Sequence, residues 1–328
     1  MKVRLIAVDS LIPNYALMKI STYHKKRGDD VNWYSPLLDY EDTDLLYISK
    51  VFTFTKDFEY LPIKAKIIRG GTGYDYNTKL PDEIENITDL DYSLYPSCDY
   101  SIIFTTRGCV RKCPFCIVPK KEGLIHNVNV ANLNPNGKYI MLLDNNFFAN
   151  RTWRENIKIL KAYKQPIDFN TGIDLRLLTK EQCEALSKLK IKVLHCAWDN
   201  YKDKDIILPK LKMLCQYVKP YKITVYVLVG FENKDIVATD IERVMTLKEF
   251  GVNPFAMGYI NFEDPKHTKS ASVIDFCRWV NNKAVFKTTT WDNYNTSNRS
   301  KEYIQETNLF NYDAPLCNKG GNKWNSIK

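Results

Sequence analysis

Short apolar runs and helix-spaced apolar stripes alternate along the first 97 residues. "KVRLIAVD", "DVNWYS", "TDLLYIS" and "AKIIRGGTG" read as strands, each brief, rich in branched or aromatic residues and bounded by polar segments. Between the first two, "NYALMKISTYHKKRG" places Leu17, Ile20, Ser21 and His24 on one stripe, and Gly28 supplies the stop signal of a helix. Strands alternating with helices predict a small doubly wound parallel sheet, Rossmann-like in plan, over residues 1–97. "GGTG" (Gly70 to Gly73) follows the last of these strands, where a tight turn calls for glycine. It lacks the G-x-G-x-x-G spacing of a dinucleotide loop.

The alternation continues in longer units over residues 98–285. Strands are expected at "SIIFTTR", "YIMLLD", "IDFNTGIDLR", "KVLHCAW", "ITVYVLVG" and "PFAMGYINF". Helices fall between them. "RTWRENIKILKAY" has Trp153, Ile157 and Leu160 on one face, Thr179 to Gln182 forms a capping box, "PKLKMLCQYV" starts at Pro209, and "IERVMTLKEFG" ends at Gly251. Six β/α units fit a partial (β/α)6 TIM-like barrel better than a second doubly wound sheet. In such barrels chemistry sits in the loops that follow the strands. Residues 286–328, rich in Asn, Thr, Lys and Tyr, form a C-terminal extension or lid.

Composition narrows the class. With 45% apolar and 13% aromatic residues in 328, the chain can bury a sizeable core, enough for one large domain and a smaller one. No apolar run approaches a bilayer span, and Asp9 interrupts the first one before any signal-peptide pattern develops, so no membrane association and a cytoplasmic location are expected. In a reducing compartment the nine cysteines are not disulfide partners. Cys183, Cys196, Cys215 and Cys277 lie in apolar periodic segments and read as small buried hydrophobes. The net charge of +9 favours anionic partners.

The remaining chemistry concentrates in "TTRGCVRKCPFCIVPKKEG", residues 105–123, directly after the first strand of the larger region. Cys109, Cys113 and Cys116 are spaced C-x3-C-x2-C among Arg107, Arg111, Lys112, Lys120 and Lys121, with Glu122 as the one nearby acid. A structural zinc site takes four protein ligands, commonly two separated pairs, so His126 or Cys98 would have to complete it. An iron–sulfur cluster also takes thiolates, and three of them leave one iron open for reactive coordination.

This loop, with Phe115 just before the last cysteine, resembles that of the radical S-adenosylmethionine (radical SAM) superfamily. It is closest in character to members carrying an N-terminal cobalamin-binding-type domain, whose first helix "PNYALMKISTYHKKRGDDV" also resembles. The likeness covers most of residues 1–265. It implies a 4Fe–4S cluster on Cys109, Cys113 and Cys116, with SAM on the fourth iron. It also implies reductive cleavage of SAM to a 5′-deoxyadenosyl radical that takes hydrogen from an unidentified substrate, for which the net charge favours an anion, and a reductant such as flavodoxin or ferredoxin.

Further residues take provisional places in this scheme. In "IDFNTGIDLRL" strict alternation puts Asp168, Asn170, Gly172, Asp174 and Arg176 on one face, where Asn170, Asp174 and Arg176 would line the SAM site. The family's Gly-Gly-Glu motif is replaced by "LLDNNFFAN", leaving Asp144, Asn145 and Asn146 to meet SAM's amino group. Gly230 in "VYVLVGFEN" would lie near the adenine. The Asp-x-His-x-x-Gly loop of many cobalamin domains is absent after the first strand. Relatives exist that bind cobalamin without it and others that keep only the fold, so cobalamin stays open and is not expected. "CPFCIVP" also resembles tRNA methylthiotransferases, but these need three further N-terminal cysteines and residues 1–97 contain none. Cys317, in the polar setting "YDAPLCNKGG", is a weak catalytic candidate on the tail. The alternative function is a metal-stapled nucleic-acid-binding protein, with zinc or an iron–sulfur cluster and no turnover.

Overall fold

A computed structural model describes residues 1–10, 12–261, 264 and 266–294. The chain is α/β and contains two parallel sheets. The first is built from β1 (Lys2–Ala7), β2 (Asp30–Trp33), β3 (Leu45–Ser49) and β4 (Lys66–Gly70), ordered β2-β1-β3-β4. Helix α1 (Tyr15–Lys26) crosses from β1 to β2, with Asn14 Oδ1 capping the Leu17 amide at 3.1 Å. Its apolar stripe buries Leu17 and Ile20 against Val3, Leu5 and Val31. Each such side chain contributes roughly 1.5–3 kcal/mol of burial. A single turn, α2 (Pro36–Asp39), leads into β3, and no helix lies between β3 and β4. The winding is therefore simpler than strict β/α alternation would give. A further turn, α3 (Asp82–Glu85), follows β4 on the way to the second sheet.

The second sheet has six parallel strands in sequential order. They are β5 (Tyr100–Ile103), β8 (Tyr139–Leu142), β9 (Ile167–Ile173), β10 (Ile191–Ala197), β11 (Ile223–Val229) and β12 (Asn253–Gly258). A two-stranded antiparallel ribbon, β6 (Thr106–Arg107) with β7 (His126–Asn127), brackets the cysteine loop, and one helical turn, α4 (Val118–Lys121), closes that loop. Crossovers run through α5 (Trp153–Ala162), α6 (Lys180–Ser187), α7 (Lys204–Leu214) and α8 (Ala238–Glu249), and α9 (Ala271–Asn281) and α10 (Lys283–Thr288) finish the layer. Alternation on β11 sorts the two faces. Ile223, Val225, Val227 and Val229 are fully buried in the main core with Val244, Leu247 and Phe276, whereas Thr224, Tyr226 and Leu228 are half-buried on the opposite face.

Three expectations change. The strand at 167 ends at Ile173, because Asp174 turns the chain by accepting from the Arg176 amide at 3.1 Å and capping a short 3-10 turn, Leu175–Leu177. Helix α7 begins five residues before Pro209, which sits inside it at the cost of one missing donor. Helix α8 starts at Ala238 rather than Ile241, because the Asp240 carboxylate caps the Val237 amide at 3.0 Å. The Thr179–Gln182 capping box is present with both of its bonds. Cys183 and Cys196 are fully buried in the main core, and Cys215 and Cys277 pack at its edge. Among the described residues no helix is long and apolar enough to cross a membrane.

Candidate metal centre

The cysteine loop leaves β5 through Thr105 and Thr106, and their anchor is Asp144 at the end of β8. Its Oδ1 accepts from the Thr105 amide at 2.7 Å, and its Oδ2 from the Thr106 amide at 3.0 Å and the Thr106 hydroxyl at 2.7 Å. The Thr105 hydroxyl adds another bond. Asp144 is 2% exposed, so burial pushes its carboxyl up while these donors oppose the shift. The next two residues continue the grip. Asn145 Oδ1 accepts from the Gly108 amide at 2.9 Å, and Asn146 Nδ2 donates to Cys109 Sγ at 3.5 Å. "LLDNN" thus holds the base of the loop, and Asp144 points to the loop rather than into open space.

Gly108 makes the turn possible. Its φ is +86°, and a Cβ there would stand 2.4 Å from the Leu124 carbonyl oxygen. Beyond it the Cys109 sulfur meets two N–H donors, and nearby polar groups act on the other two. Cys109 accepts from the Arg111 amide at 3.4 Å as well as from Asn146. Cys113 faces the Arg176 guanidinium, and Cys116 the Val118 amide. Burial pushes the Cys113 and Cys116 thiols up, and those donors work against it. All three are free and half-buried.

Most of the loop's basic side chains are paired. Arg107 joins Glu122 at 2.9 Å and Glu85, ahead of the second sheet, at 3.3 Å. Glu85 also meets Lys19 of α1 at 3.3 Å, so a charge chain ties the first sheet's helix to the loop. Arg111 Nε donates to Asp174 Oδ2 at 2.9 Å, and Arg176 donates to Asp174 Oδ1 at 2.8 Å and to Asp203 at 2.9 Å. Asp174 and Arg176 therefore brace the loop.

A cavity of about 120 Å³ opens between the loop and the ends of β10 and β11. Phe115, Asp199, Tyr201, Gly230 and Phe231 line it. Phe115 and Phe231 meet edge to face at 5.4 Å. Gly230, at φ +79°, turns the chain just after β11. Asp199 was not singled out from the sequence. Burial pushes its carboxyl up to about 6, with Arg243 and Arg176 opposing, and the carboxylate influences both Cys113 and Cys116. The signal was available: "AWDN" puts the first acid after a strand at the C-terminal end of the sheet, where such folds keep their chemistry.

Asn170 lies on β9, its carbonyl accepting from the Tyr226 hydroxyl at 3.0 Å. Cys98 is buried in a separate aromatic cluster with Tyr100, Ile102 and Met141, and His126 is exposed on β7. Cys317 lies outside the described residues, as does the tail from residue 295 onward. Among the described residues no three His, Cys, Asp or Glu side chains converge on one point to hold a metal ion. A single zinc needs its thiolates about 2.3 Å from one centre. A cluster would spread its ligands over several irons, and three soft thiols in one loop are donors of the type that both zinc and iron–sulfur clusters take. No protein-family model matches the chain, and no curated protein matches it.

Proposed function

We propose that the protein is a radical SAM enzyme whose six-stranded sheet is a partial (β/α)6 barrel, with Cys109, Cys113 and Cys116 as ligands of a 4Fe–4S cluster. The observation that carries this reading is the loop itself: three free, half-buried thiols after the first strand of a sequentially ordered parallel sheet, with N–H donors on Cys109. Bound there, the cluster would supply the electron that cleaves SAM to methionine and a 5′-deoxyadenosyl radical for hydrogen abstraction.

The protein's own residues have definable parts. Asp144, Asn145 and Gly108 hold the loop in its turned conformation. The cavity beside Phe115 and Gly230 suits a flat aromatic ring such as adenine, and the Asp199 carboxylate at its edge can accept from hydroxyls. Phe115 and Phe231 shield the space from water. The first sheet's parallel order, β2-β1-β3-β4, is compatible with a cobalamin-type domain. The segment "DSLIPNYAL" after β1 holds no histidine, so that cofactor is not part of the proposal.

Anaerobic reconstitution with iron and sulfide tests the reading. The expected product is a brown protein with about four irons per chain, forming 5′-deoxyadenosine from SAM under dithionite. Replacing any one of the three cysteines by Ala should abolish both. A colourless protein retaining zinc would favour the nucleic-acid-binding alternative, and 5′-deoxyadenosine formation by a single Cys→Ala variant would exclude this assignment of ligands.

A further inference from the structure

We propose that His195 and Asp168 form an imidazole–carboxylate pair on the face of the six-stranded sheet away from the helices, where His195 exchanges a proton with an N–H or O–H group of a bound ligand. This rests on the barrel reading above, in which that face lines the interior.

The starting observation is an unsatisfied acid. Asp168, the second residue of β9, is 0% exposed, and neither carboxylate oxygen has a hydrogen-bond partner among the described residues. Its flanking residues in the sheet are Met141 on β8 and Val193 on β10, which offer no donor. A buried carboxylate without donors is strongly unfavourable. Asp144, equally buried, is saturated with donors. A carboxyl kept only to support the fold would be built as Asp144 is.

Beside it stands His195 on β10, whose Nδ1 lies 3.5 Å from Asp168 Oδ1 and donates to the Phe169 carbonyl at 3.0 Å. That bond fixes the neutral tautomer, so Nε2 is left as an acceptor with no partner among the described residues. The ring is clamped by Tyr226 of β11, stacked at 5.1 Å and 10°, and Tyr226 is backed in turn by Phe255 of β12 at 5.7 Å. Above the pair the same strand face is half-buried at Asn170, Gly172, Ala197, Leu228 and Met257. His195 keeps 6% of its surface and Asp168 none, so a ligand on this face can reach only the imidazole. Asp168 is then a positioning residue behind it, acting on the ring by charge at 3.5 Å rather than by a hydrogen bond, because Nδ1–H is held by the Phe169 carbonyl.

The step balances simply. The ligand's N–H or O–H bond breaks and its electron pair stays on the ligand atom. A new N–H bond forms at Nε2, and Nδ1–H stays on the Phe169 carbonyl. Charged neighbours bear on both groups: Lys192 of β10 lowers the Asp168 carboxyl, which burial pushes up to about 6, and Lys283 of α10 adds to the burial that holds His195 down at about 4.

Ring-nitrogen NMR of the reconstituted full-length protein labelled at its four histidines tests the pair, with His195→Gln for assignment. His195 should be in the Nδ1–H tautomer at pH 7, and its nitrogen shifts should show a second inflection near pH 6 from Asp168. Asp168→Asn should remove that inflection. Diethyl pyrocarbonate should modify His195, read by peptide mass. An Nε2–H tautomer, an inflection near pH 6 that persists in Asp168→Asn, or an unmodified His195 once exposed His126 has fully reacted would each overturn the proposal. If Asp168→Asn fails to fold, the wild-type inflection decides, and its absence is fatal. A protein that binds no iron but shows these titrations would remove the radical reading and leave the pair.

Discussion

Arg111 Nε donates to Asp174 Oδ2 at 2.9 Å, joining the cysteine loop to the turn that ends β9. The same carboxylate receives Arg176, which also faces Cys113, so one acid 8% exposed organises two guanidinium groups around the loop. Loop geometry is thereby made to depend on a residue far away in sequence.

This pairing carries a pH signature. Burial pushes the Asp174 carboxyl up, but Arg176 and then Arg111 outweigh it and hold its pKa below the ordinary value. A depressed carboxyl contributes stability that is present above its unfolded pKa of about 3.9 and is lost as pH falls through the folded value. Urea midpoints should therefore decline below about pH 4 with a slope that Asp174→Asn flattens. At pH 7 the same variant should lose roughly 1–3 kcal/mol, since it breaks charge-assisted bonds around a buried group. A pH profile parallel to wild type would remove Asp174 from this role.

SAM binding should follow the Asp199 carboxyl. With that group pushed up to about 6, affinity should improve as pH rises through 6 and the carboxylate becomes a full acceptor. Asp199→Asn should bind SAM with no inflection in that range. Phe115→Ala, which removes one wall of the cavity, should weaken SAM about tenfold at any pH, as befits an aromatic contact of about 1–1.5 kcal/mol. Calorimetric titrations across pH 5 to 8 check both.

Gly108→Ala should be among the most damaging single-methyl changes in the loop. The left-handed φ costs an L-residue about 1–2 kcal/mol, and the Cβ would also collide with the Leu124 carbonyl. Iron uptake should fall well below wild type while far-UV circular dichroism stays native. Full iron loading in Gly108→Ala would mean that the loop tolerates a different path.

Asp144→Asn is expected to unsettle the loop without changing its charge count on the cysteines. The amide nitrogen would confront the Thr105 and Thr106 amides, which need acceptors, so the cost should be about 1–3 kcal/mol. Limited proteolysis between residues 105 and 125 should accelerate. Unchanged cleavage rates would indicate that the Thr hydroxyls suffice.

Local signals were enough for the strands of both sheets. "ITVYVLVG" is short and β-branched, "KIIRGG" ends on glycine, and neither needs a distant partner to declare its period. The capping box at Thr179 is equally local, since its two bonds close within one turn. The three cysteines were legible as a candidate site because the proposed ligation needs thiols at close spacing, and spacing is a property of the sequence itself. What the sequence left open were relationships across the sheet. "IDFNTGIDLRL" alternates through Arg176, yet the strand stops at Ile173 because Asp174 makes better bonds to the Arg176 amide and two guanidinium groups than to a ladder. Asp168, Asn170 and Asp174 look alike in that pattern, and only the packing separates them. One has no hydrogen-bond partner among the described residues and stands beside His195, one serves through its backbone, and one braces the loop. Asp199 entered the cavity through the path of the chain after β10, which no periodicity encodes. Side-chain identity and spacing are written along the chain, but desolvation and the partners that offset it exist only once distant strands are side by side.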